Sequence, residues 1–266
     1  MIAFTIYQAR LHIGFRIGQL FGAILPGLGA AAVIKTIEGS TGEEARRAVG
    51  HFGAPFVASL LSGGSVVAIA GGRTIRELIQ MLPEDKERHL TVIQAMGSID
   101  FTVGPVDALE LGRTLARRCG GFFLTLNTPA FVPDKRTRDS FLAHEQIRGL
   151  WRRLKQAEVA LVGIGTLNDS AFVARGVLST ADLQNLKERG AVGEICGRFF
   201  DKAGRECDSP WRDRVLSIDL ELVRKIPQVV GIVAGAARSA AITAAIRGGL
   251  VKSLVVDVAG ARALLE

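Results

Sequence analysis

The residues Val66-Val-Ala-Ile-Ala-Gly-Gly-Arg-Thr-Ile75 indicate the fold class of this chain. It begins with a short apolar run rich in β-branched residues, which is typical of a buried strand. Two glycines then turn the chain, and residues 75–81 follow with the spacing of a helix. A strand, a glycine turn and a helix in this order are the repeating unit of a parallel sheet with helical crossovers.

The same order of strand, glycine turn and helix recurs twice. Val159-Ala-Leu-Val162 leads into Gly163-Ile-Gly-Thr166, and residues 229–233 lead into Gly235 and an alanine-rich helix that Gly248-Gly249 ends. Weaker signals of the same kind predict further strands at residues 91–96, 122–126 and 254–257. Helical spacing is clearest at residues 39–61 and 106–118. The sequence therefore predicts an α/β fold, with an open, mostly parallel sheet and helices on both of its faces.

Composition and charge set the class of protein and of partner. The 266 residues are 48% hydrophobic and 22% charged, so the chain can bury a large core and the disordered class is excluded. The net charge of +7 fits an anionic partner, which leaves nucleic acid, a membrane surface and a phosphorylated metabolite open. Basic residues are densest from Arg113 to Lys155, where a solvated helical face and direct DNA contact are both open.

The cysteines, the histidines and the apolar amino-terminal stretch argue against a disulfide-rich, metal-binding, membrane or secreted protein. The three cysteines are well separated and the four histidines show no paired spacing, so we expect no disulfide framework and no metal site. The apolar residues 20–34 are broken by Pro26 and three glycines, so we expect neither a membrane helix nor a signal peptide. A reducing cytoplasm is the expected location, with no membrane partner.

The turn Gly71-Gly72-Arg73-Thr74 is the best candidate for a binding site. Glycines let the backbone approach a ligand closely, and the start of a helix offers unpaired N–H groups and a positive dipole to an anion. Arg73 and Thr74 add side-chain donors, and ligands of open α/β sheets bind at the carboxyl ends of the strands. An ordinary tight turn is the alternative.

Three other glycine turns carry weaker signals. Gly165 and Thr166 could extend the same pocket, and Arg238, just after Gly235, could reach a phosphate. The GxGxxA pattern at Gly27–Ala32 follows Pro26 instead of a strand, so a small-residue packing turn competes with a dinucleotide site. The chain has neither a GxxxxGK[ST] loop nor a GxSxG motif. It therefore lacks the motifs typical of nucleotide hydrolysis and of serine hydrolases.

Glu194 is a carboxylate with apolar neighbours, in Gly190-Ala-Val-Gly-Glu-Ile195. A carboxylate in such surroundings is costly unless it is hydrogen-bonded. It could serve as the general base of a sugar-phosphate isomerase, as an acceptor for ligand hydroxyls, or as an ordinary carboxylate at a solvated loop edge.

Five motifs in order along the chain resemble one known family. They are Val159–Thr166, Arg175–Thr180, Gly190–Asp201 with Gly204, Arg224–Pro227 and Arg247–Gly249. Together they resemble the carboxyl-terminal sugar-binding domain of the SorC family of bacterial transcription regulators. The resemblance covers about residues 40–266 and is densest after Trp151.

The resemblance implies a Rossmann-like domain related in fold to ribose-5-phosphate isomerase and glucosamine-6-phosphate deaminase. It implies a phosphorylated sugar bound as effector without catalysis or cofactor, and assembly into dimers or tetramers. Glu194 would hold sugar hydroxyls, and Gly72, Arg73, Thr74, Gly235 and Arg238 would bind the phosphate. Ligand-facing loops of the family match the positions Gly97, Ser98, Asp107 and Arg175.

The chain departs from the family pattern in two respects. It carries Arg238 where the family favours lysine, and Ala234-Gly235 where the family favours two glycines. Residues 1–39 show no helix-turn-helix, so we expect a remnant or linker there and the effector domain at residues 40–266. Operator DNA would then be reached only through a domain absent from this chain. An isomerase or deaminase on the same fold is the alternative function.

Overall fold

The computed structural model describes residues 29–34 and 41–266. Most of residues 1–39, where we expect no helix-turn-helix, lie outside the described residues. The start of the GxGxxA pattern also lies outside them. The strands are β1 (Ala30–Ile34), β2 (Val66–Ile69), β3 (Thr91–Gln94), β4 (Phe122–Leu124), β5 (Val159–Val162), β6 (Gly193–Ile195), β7 (Arg198–Phe200), β8 (Gln228–Ile232) and β9 (Ser253–Asp257).

The helices connect these strands. They are α1 (Gly42–Leu60), α2 (Arg73–Met81), α3 (Ala108–Arg118), α4 (Lys135–Ala143), α5 (Glu145–Leu154), α6 (Ala171–Ala174), α7 (Thr180–Glu188), α8 (Leu220–Lys225), α9 (Ser239–Arg247) and α10 (Val258–Ala263). Short 3₁₀ turns lie at Lys86–Arg88, Arg212–Arg214 and Ala236–Arg238. None of the helices in the described part of the chain has the length and apolar character needed to cross a membrane.

Seven strands form one parallel sheet in the order β1-β9-β8-β5-β2-β3-β4, and β6 and β7 form a separate antiparallel pair. All four residues of β5 and all five of β9 are buried. Strands covered on both faces read as continuous apolar runs, which is why the sequence predicted β5 clearly. The predicted open parallel sheet with flanking helices is confirmed.

The handedness of the strand–helix–strand connections determines on which face of the sheet each helix lies. The connections through α1, α2 and α3 advance toward β4, and those through α5 and α9 run back toward β1. Because parallel crossovers are right-handed, the two directions place their helices on opposite faces. The direction reverses between the neighbouring strands β2 and β5. A reversal of this kind opens a crevice beyond the carboxyl ends of the two strands.

Strand β1 lies within the segment that the sequence analysis assigned to a remnant or linker. Its residues Ala30–Ile34 pair in parallel with Ser253–Asp257 of β9, so these five residues belong to the sheet. The boundary expected after residue 39 therefore leaves one strand of the sheet on its amino-terminal side. The rest of the predicted amino-terminal remnant or linker lies outside the described residues and stays a prediction.

Candidate functional site

A cavity of about 390 Å³ lies in the crevice at the strand reversal. The turns that follow β2, β3, β5 and β8 line it, and so do the β6–β7 pair and one residue of α1. This volume lies within the range of roughly 300–1,000 Å³ that is usual for small-molecule pockets. The place and size of the cavity suit a compact metabolite.

The first turn of α2 forms one wall of the cavity. The helix starts after Gly72, whose φ of 151° favours glycine, and no side chain caps it. The Gly72 N–H is already bonded to Val106 O at 2.9 Å. The next three N–H groups, of Arg73, Thr74 and Ile75, have no acceptor among the described residues. Three unpaired donors at the positive end of a helix dipole are a site for an anion.

Three guanidinium groups lie at the same end of the cavity. Arg46 reaches it from α1, Arg73 from α2 and Arg238 from the turn after β8. Burial, followed by the charges of Arg73 and Arg46, lowers the pKa of Arg238. Burial and the charge of Arg73 likewise lower the pKa of Arg46. Arginine remains protonated in proteins, so the cluster holds positive charges that repel one another and attract an anion.

Asp169 lies between two of these arginines. Its Oδ1 is 2.9 Å from Nη2 of Arg73, and its Oδ2 pairs with Nη2 of Arg238. Arg238 also donates from Nη1 to Ala234 O at 2.7 Å, which fixes its guanidinium against the turn after β8. Among the described residues, no carboxylate pairs with Arg46. The cluster therefore keeps a net positive charge.

Glu194, on β6, supplies a carboxylate to the cavity. Its backbone exchanges two hydrogen bonds with Gly165, each of 3.0 Å, and its Oε2 accepts from Gly197 N at 3.1 Å. Burial raises the pKa of Glu194 to about 7, although hydrogen bonds from Gly197 and Ser170 favour the charged form. Glu194 is thus a positioned acceptor that titrates near neutrality.

Ten of the thirteen predicted site residues line this one cavity. They are Gly71, Gly72, Arg73, Thr74, Gly97, Asp107, Gly165, Arg175, Glu194 and Arg238. Two of them also have contacts within the fold. Asp107 is buried and caps α3 through Leu109 N at 3.1 Å, and Arg175 pairs with Asp100 at 3.1 Å. Whether these residues contact a ligand remains a prediction.

The other three predicted residues, Ser98, Thr166 and Gly235, are not in the cavity lining. The Ser98 backbone is held between Thr128 and Ala130 at 3.0 and 2.8 Å. The Gly235 N–H, expected to face a phosphate, is bonded to Oδ1 of Asp257 at 2.9 Å. The Gly165 amide is likewise used by Glu194. Donors for an anion therefore come from α2 and the arginines, and not from all three glycine turns.

Sequence reasoning missed Arg46, Asp169 and Ser170. Arg46 lies on a helix with no glycine turn near it, and nothing in its local sequence indicates the cavity. Asp169 follows Gly163-Ile-Gly165 closely, so an acid beside a candidate phosphate turn was a signal that could have been weighed. Ser170 caps α6 through Phe172 N at 3.2 Å, and this common capping role gives no sign that it also hydrogen-bonds Glu194.

The cavity contains few groups suited to acid–base or nucleophilic catalysis. Within the described ranges, no histidine or lysine lines it, and no three potential metal ligands cluster. Cys196 does line it, but burial raises the pKa of its thiol to about 12, so the thiol stays protonated and poorly nucleophilic. Glu194 is left as the candidate proton acceptor with a suitable pKa.

Several basic residues between Arg113 and Lys155 pair with acids on their own helices. Arg152 and Arg148 lie 2.7 and 3.5 Å from Glu145, and Arg138 lies 2.9 Å from Asp139. Alternating charges paired along a helix are typical of a solvent-facing surface. The geometry favours that alternative over direct DNA contact.

Comparison with known proteins connects this cavity to a family. The sugar-binding domain family matches residues 26–266. The chain is 29% identical over 225 residues to the uncharacterized transcriptional regulator YjhU of Escherichia coli K12, across 83% of this chain and 67% of that protein. It is 26% identical over 270 residues to the sorbitol operon regulator of Klebsiella pneumoniae, across 98% of this chain and 82% of that one.

A solved structure agrees with the fold. The crystal structure of the full-length sorbitol operon regulator SorC from Klebsiella pneumoniae matches with a TM-score of 0.87 at 23% identity, over 98% of this chain and 83% of that chain. At this identity the likeness shows the fold. The relatives are named as transcriptional regulators, and the resemblance predicted from the five motifs is confirmed. The chain therefore belongs to the family of sugar-binding domains carried by SorC-type transcriptional regulators.

Proposed function

We propose that this domain binds a phosphorylated sugar as an effector and performs no chemistry on it. The observation that carries the proposal is that one cavity holds both a net positive cluster and a buried, hydrogen-bonded carboxylate. Three arginines and the open start of α2 gather at one end, and the carboxylate of Glu194 lies on β6. An anion receptor and a hydroxyl acceptor in one compact cavity match the two chemistries of a sugar phosphate.

Each part of such a ligand has a physical reason to bind where we place it. A phosphate ester carries a charge of about −1.5 to −2 at neutral pH and has three strong acceptor oxygens. Guanidinium groups donate to phosphate in pairs, and the amides of Arg73 and Thr74 add donors along the helix dipole. Sugar hydroxyls would donate to Glu194, which is a better acceptor when it is ionised.

The domain would act in regulation through a change of state. A ligand that binds one oligomeric arrangement more tightly shifts the population toward it, and a DNA-binding domain joined to the oligomer would respond. We infer that the assembly is a dimer or tetramer and that operator DNA is contacted by a helix-turn-helix domain outside the described residues. The cytoplasm, where such regulators meet metabolites and DNA, is the corresponding location.

A sugar-phosphate isomerase or deaminase is the second candidate. The pKa of about 7 for Glu194 favours it, because a general base works best near the operating pH. The described cavity lining contains no histidine or lysine, and its two other carboxylates are engaged: Asp107 caps α3, and Asp169 pairs with Arg73 and Arg238. The lack of a free partner acid or base among these residues favours binding alone. Product formed from ribose 5-phosphate or glucosamine 6-phosphate, and lost in Glu194→Gln, would establish the enzyme.

Calorimetric titration with a panel of sugar phosphates and the parent sugars tests the proposal. At least one phosphate should bind saturably without turnover, and its parent sugar should bind far more weakly. Arg73→Gln should weaken that phosphate roughly ten- to hundredfold, the usual range for a lost charged hydrogen bond. The matched control is Arg148→Gln, because Arg148 has 60% of its side chain exposed against 56% for Arg73 and also pairs with one acid. Equal affinities in both variants would overturn the phosphate assignment.

A further inference from the structure

The carboxylate of Asp169 lies at the point where the proposed function needs the phosphate. One of its oxygens is 2.9 Å from Arg73 and the other contacts Arg238, so each guanidinium holds a different oxygen. Carboxylate and phosphate oxygens are alternative acceptors for the same guanidinium donors. A phosphate that used both arginines would therefore have to take the place of Asp169.

The charges around Asp169 favour exchange with an anion of higher charge. Arg46, Arg73 and Arg238 carry three positive charges at this end of the cavity, and Asp169 compensates one of them. A carboxylate thus leaves two positive charges uncompensated. A doubly charged phosphate would balance more of the cluster and could also accept from the amides at the start of α2.

The loop position of Asp169 leaves its side chain room to turn outward. It lies on the loop between β5 and α6, and 42% of its side chain is exposed. The residues on either side are fixed: Gly165 is bonded to the backbone of Glu194, and Ser170 is buried at the start of α6. A short loop between two anchors can swing one side chain outward without unfolding the sheet.

We propose that Asp169 occupies the phosphate position in the unliganded protein and that the ligand's phosphate displaces it. This inference rests on the proposed function and adds a selectivity rule to it. Asp169 disfavours weakly charged ligands, since a neutral sugar or a monoanion gains too little from the arginines to break two ion pairs. The loop from Gly165 to Asp169 contacts both Arg238 and the backbone of Glu194. Displacement of Asp169 by a phosphate could therefore shift the strand that carries Glu194.

Binding of inorganic phosphate to the full chain and to Asp169→Asn, followed by isothermal titration calorimetry, tests this. The asparagine keeps the shape and removes the charge, so we expect about fivefold tighter phosphate binding, the combined effect of two half-exposed ion pairs. Asp139→Asn is the matched control. Asp139 also bridges two cations, Lys135 and Arg138, has 45% of its side chain exposed, and lies outside the cavity lining.

The outcomes separate the two proposals. Tighter binding in Asp169→Asn, unchanged binding in Asp139→Asn, and loss of the gain when Arg73→Gln is added to Asp169→Asn support displacement. If wild type binds phosphate and Asp169→Asn binds it equally or more weakly, or if both asparagine variants gain alike, the role of Asp169 is overturned and the phosphate site stands. If neither wild type nor Asp169→Asn binds phosphate, the proposed phosphate site is overturned and this inference with it.

Discussion

Replacing Glu194 with glutamine should change how the stability of the protein depends on pH. Burial raises the pKa of Glu194 from 4.5 to about 7, while in the unfolded chain the carboxyl keeps its ordinary value. Between these two pH values the folded state binds more protons than the unfolded state. Stability contributed by this group therefore falls as pH rises through the window, and the loss is complete above about pH 7.

The size of the effect follows from the shift in pKa. The difference between a pKa of 4.5 and one of about 7 corresponds to about 3 kcal/mol, since one pKa unit is worth about 1.4 kcal/mol. Glu194 is open in part to the cavity, where water reduces the penalty, so we expect about 2 kcal/mol. Glutamine has no charge to bury and can still accept from the Gly197 N–H, so Glu194→Gln should lack this pH dependence.

Urea unfolding of both proteins at pH 5 and at pH 8 measures the difference. Other titrating groups contribute equally to both proteins and cancel in the comparison. From pH 5 to pH 8 the free energy of unfolding of wild type should fall by about 2 kcal/mol more than that of Glu194→Gln. Parallel behaviour of the two proteins would refute the buried, proton-binding state of Glu194.

Two further predictions concern packing and a buried ion pair. A Cβ on Gly50 would lie 2.5 Å from the Glu77 carbonyl carbon, so Gly50→Ala should destabilise by about 1–3 kcal/mol in urea unfolding, whereas Gly149→Ala, with its nearest atom 3.7 Å away, should stabilise slightly. Arg198 is 8% exposed, bonds Glu206 at 2.8 Å and donates to Ile218 O at 3.1 Å, so Arg198→Leu should cost about 3–5 kcal/mol by removing both bonds and leaving Glu206 with only Arg212, 3.9 Å away. A cost below about 1 kcal/mol for Gly50→Ala or for Arg198→Leu would contradict the corresponding prediction.

The central strands could be predicted from sequence because strands buried on both faces consist of continuous apolar residues. Strand β1 was missed because its Ala-Ala-Ala-Val-Ile composition is a weak strand signal, and its extended form depends on pairing with β9. The β6–β7 pair was missed because its turn is unusual. Cys196 and Gly197, with φ of 52° and 75°, occupy a turn for which Asn-Gly is the common signal.

The candidate site was predictable to the extent that it follows strand ends. Gly71 to Thr74 and Gly165 lie together because the strand order reverses between β2 and β5, which strand–turn–helix patterns anticipate. Arg46 arrives from a helix on the amino-terminal side, and no local pattern encodes that approach. The occupied amides of Gly165 and Gly235 were equally hidden, since their acceptors, Glu194 and Asp257, lie far along the chain.

A crystal structure of the protein grown with millimolar inorganic phosphate would show where this domain holds an anion. One phosphate should lie within hydrogen-bond distance of the Arg73 and Thr74 amides and of the Arg238 guanidinium, with the Asp169 carboxylate turned away. Phosphate bound elsewhere, with both arginines still paired to Asp169, would contradict this prediction.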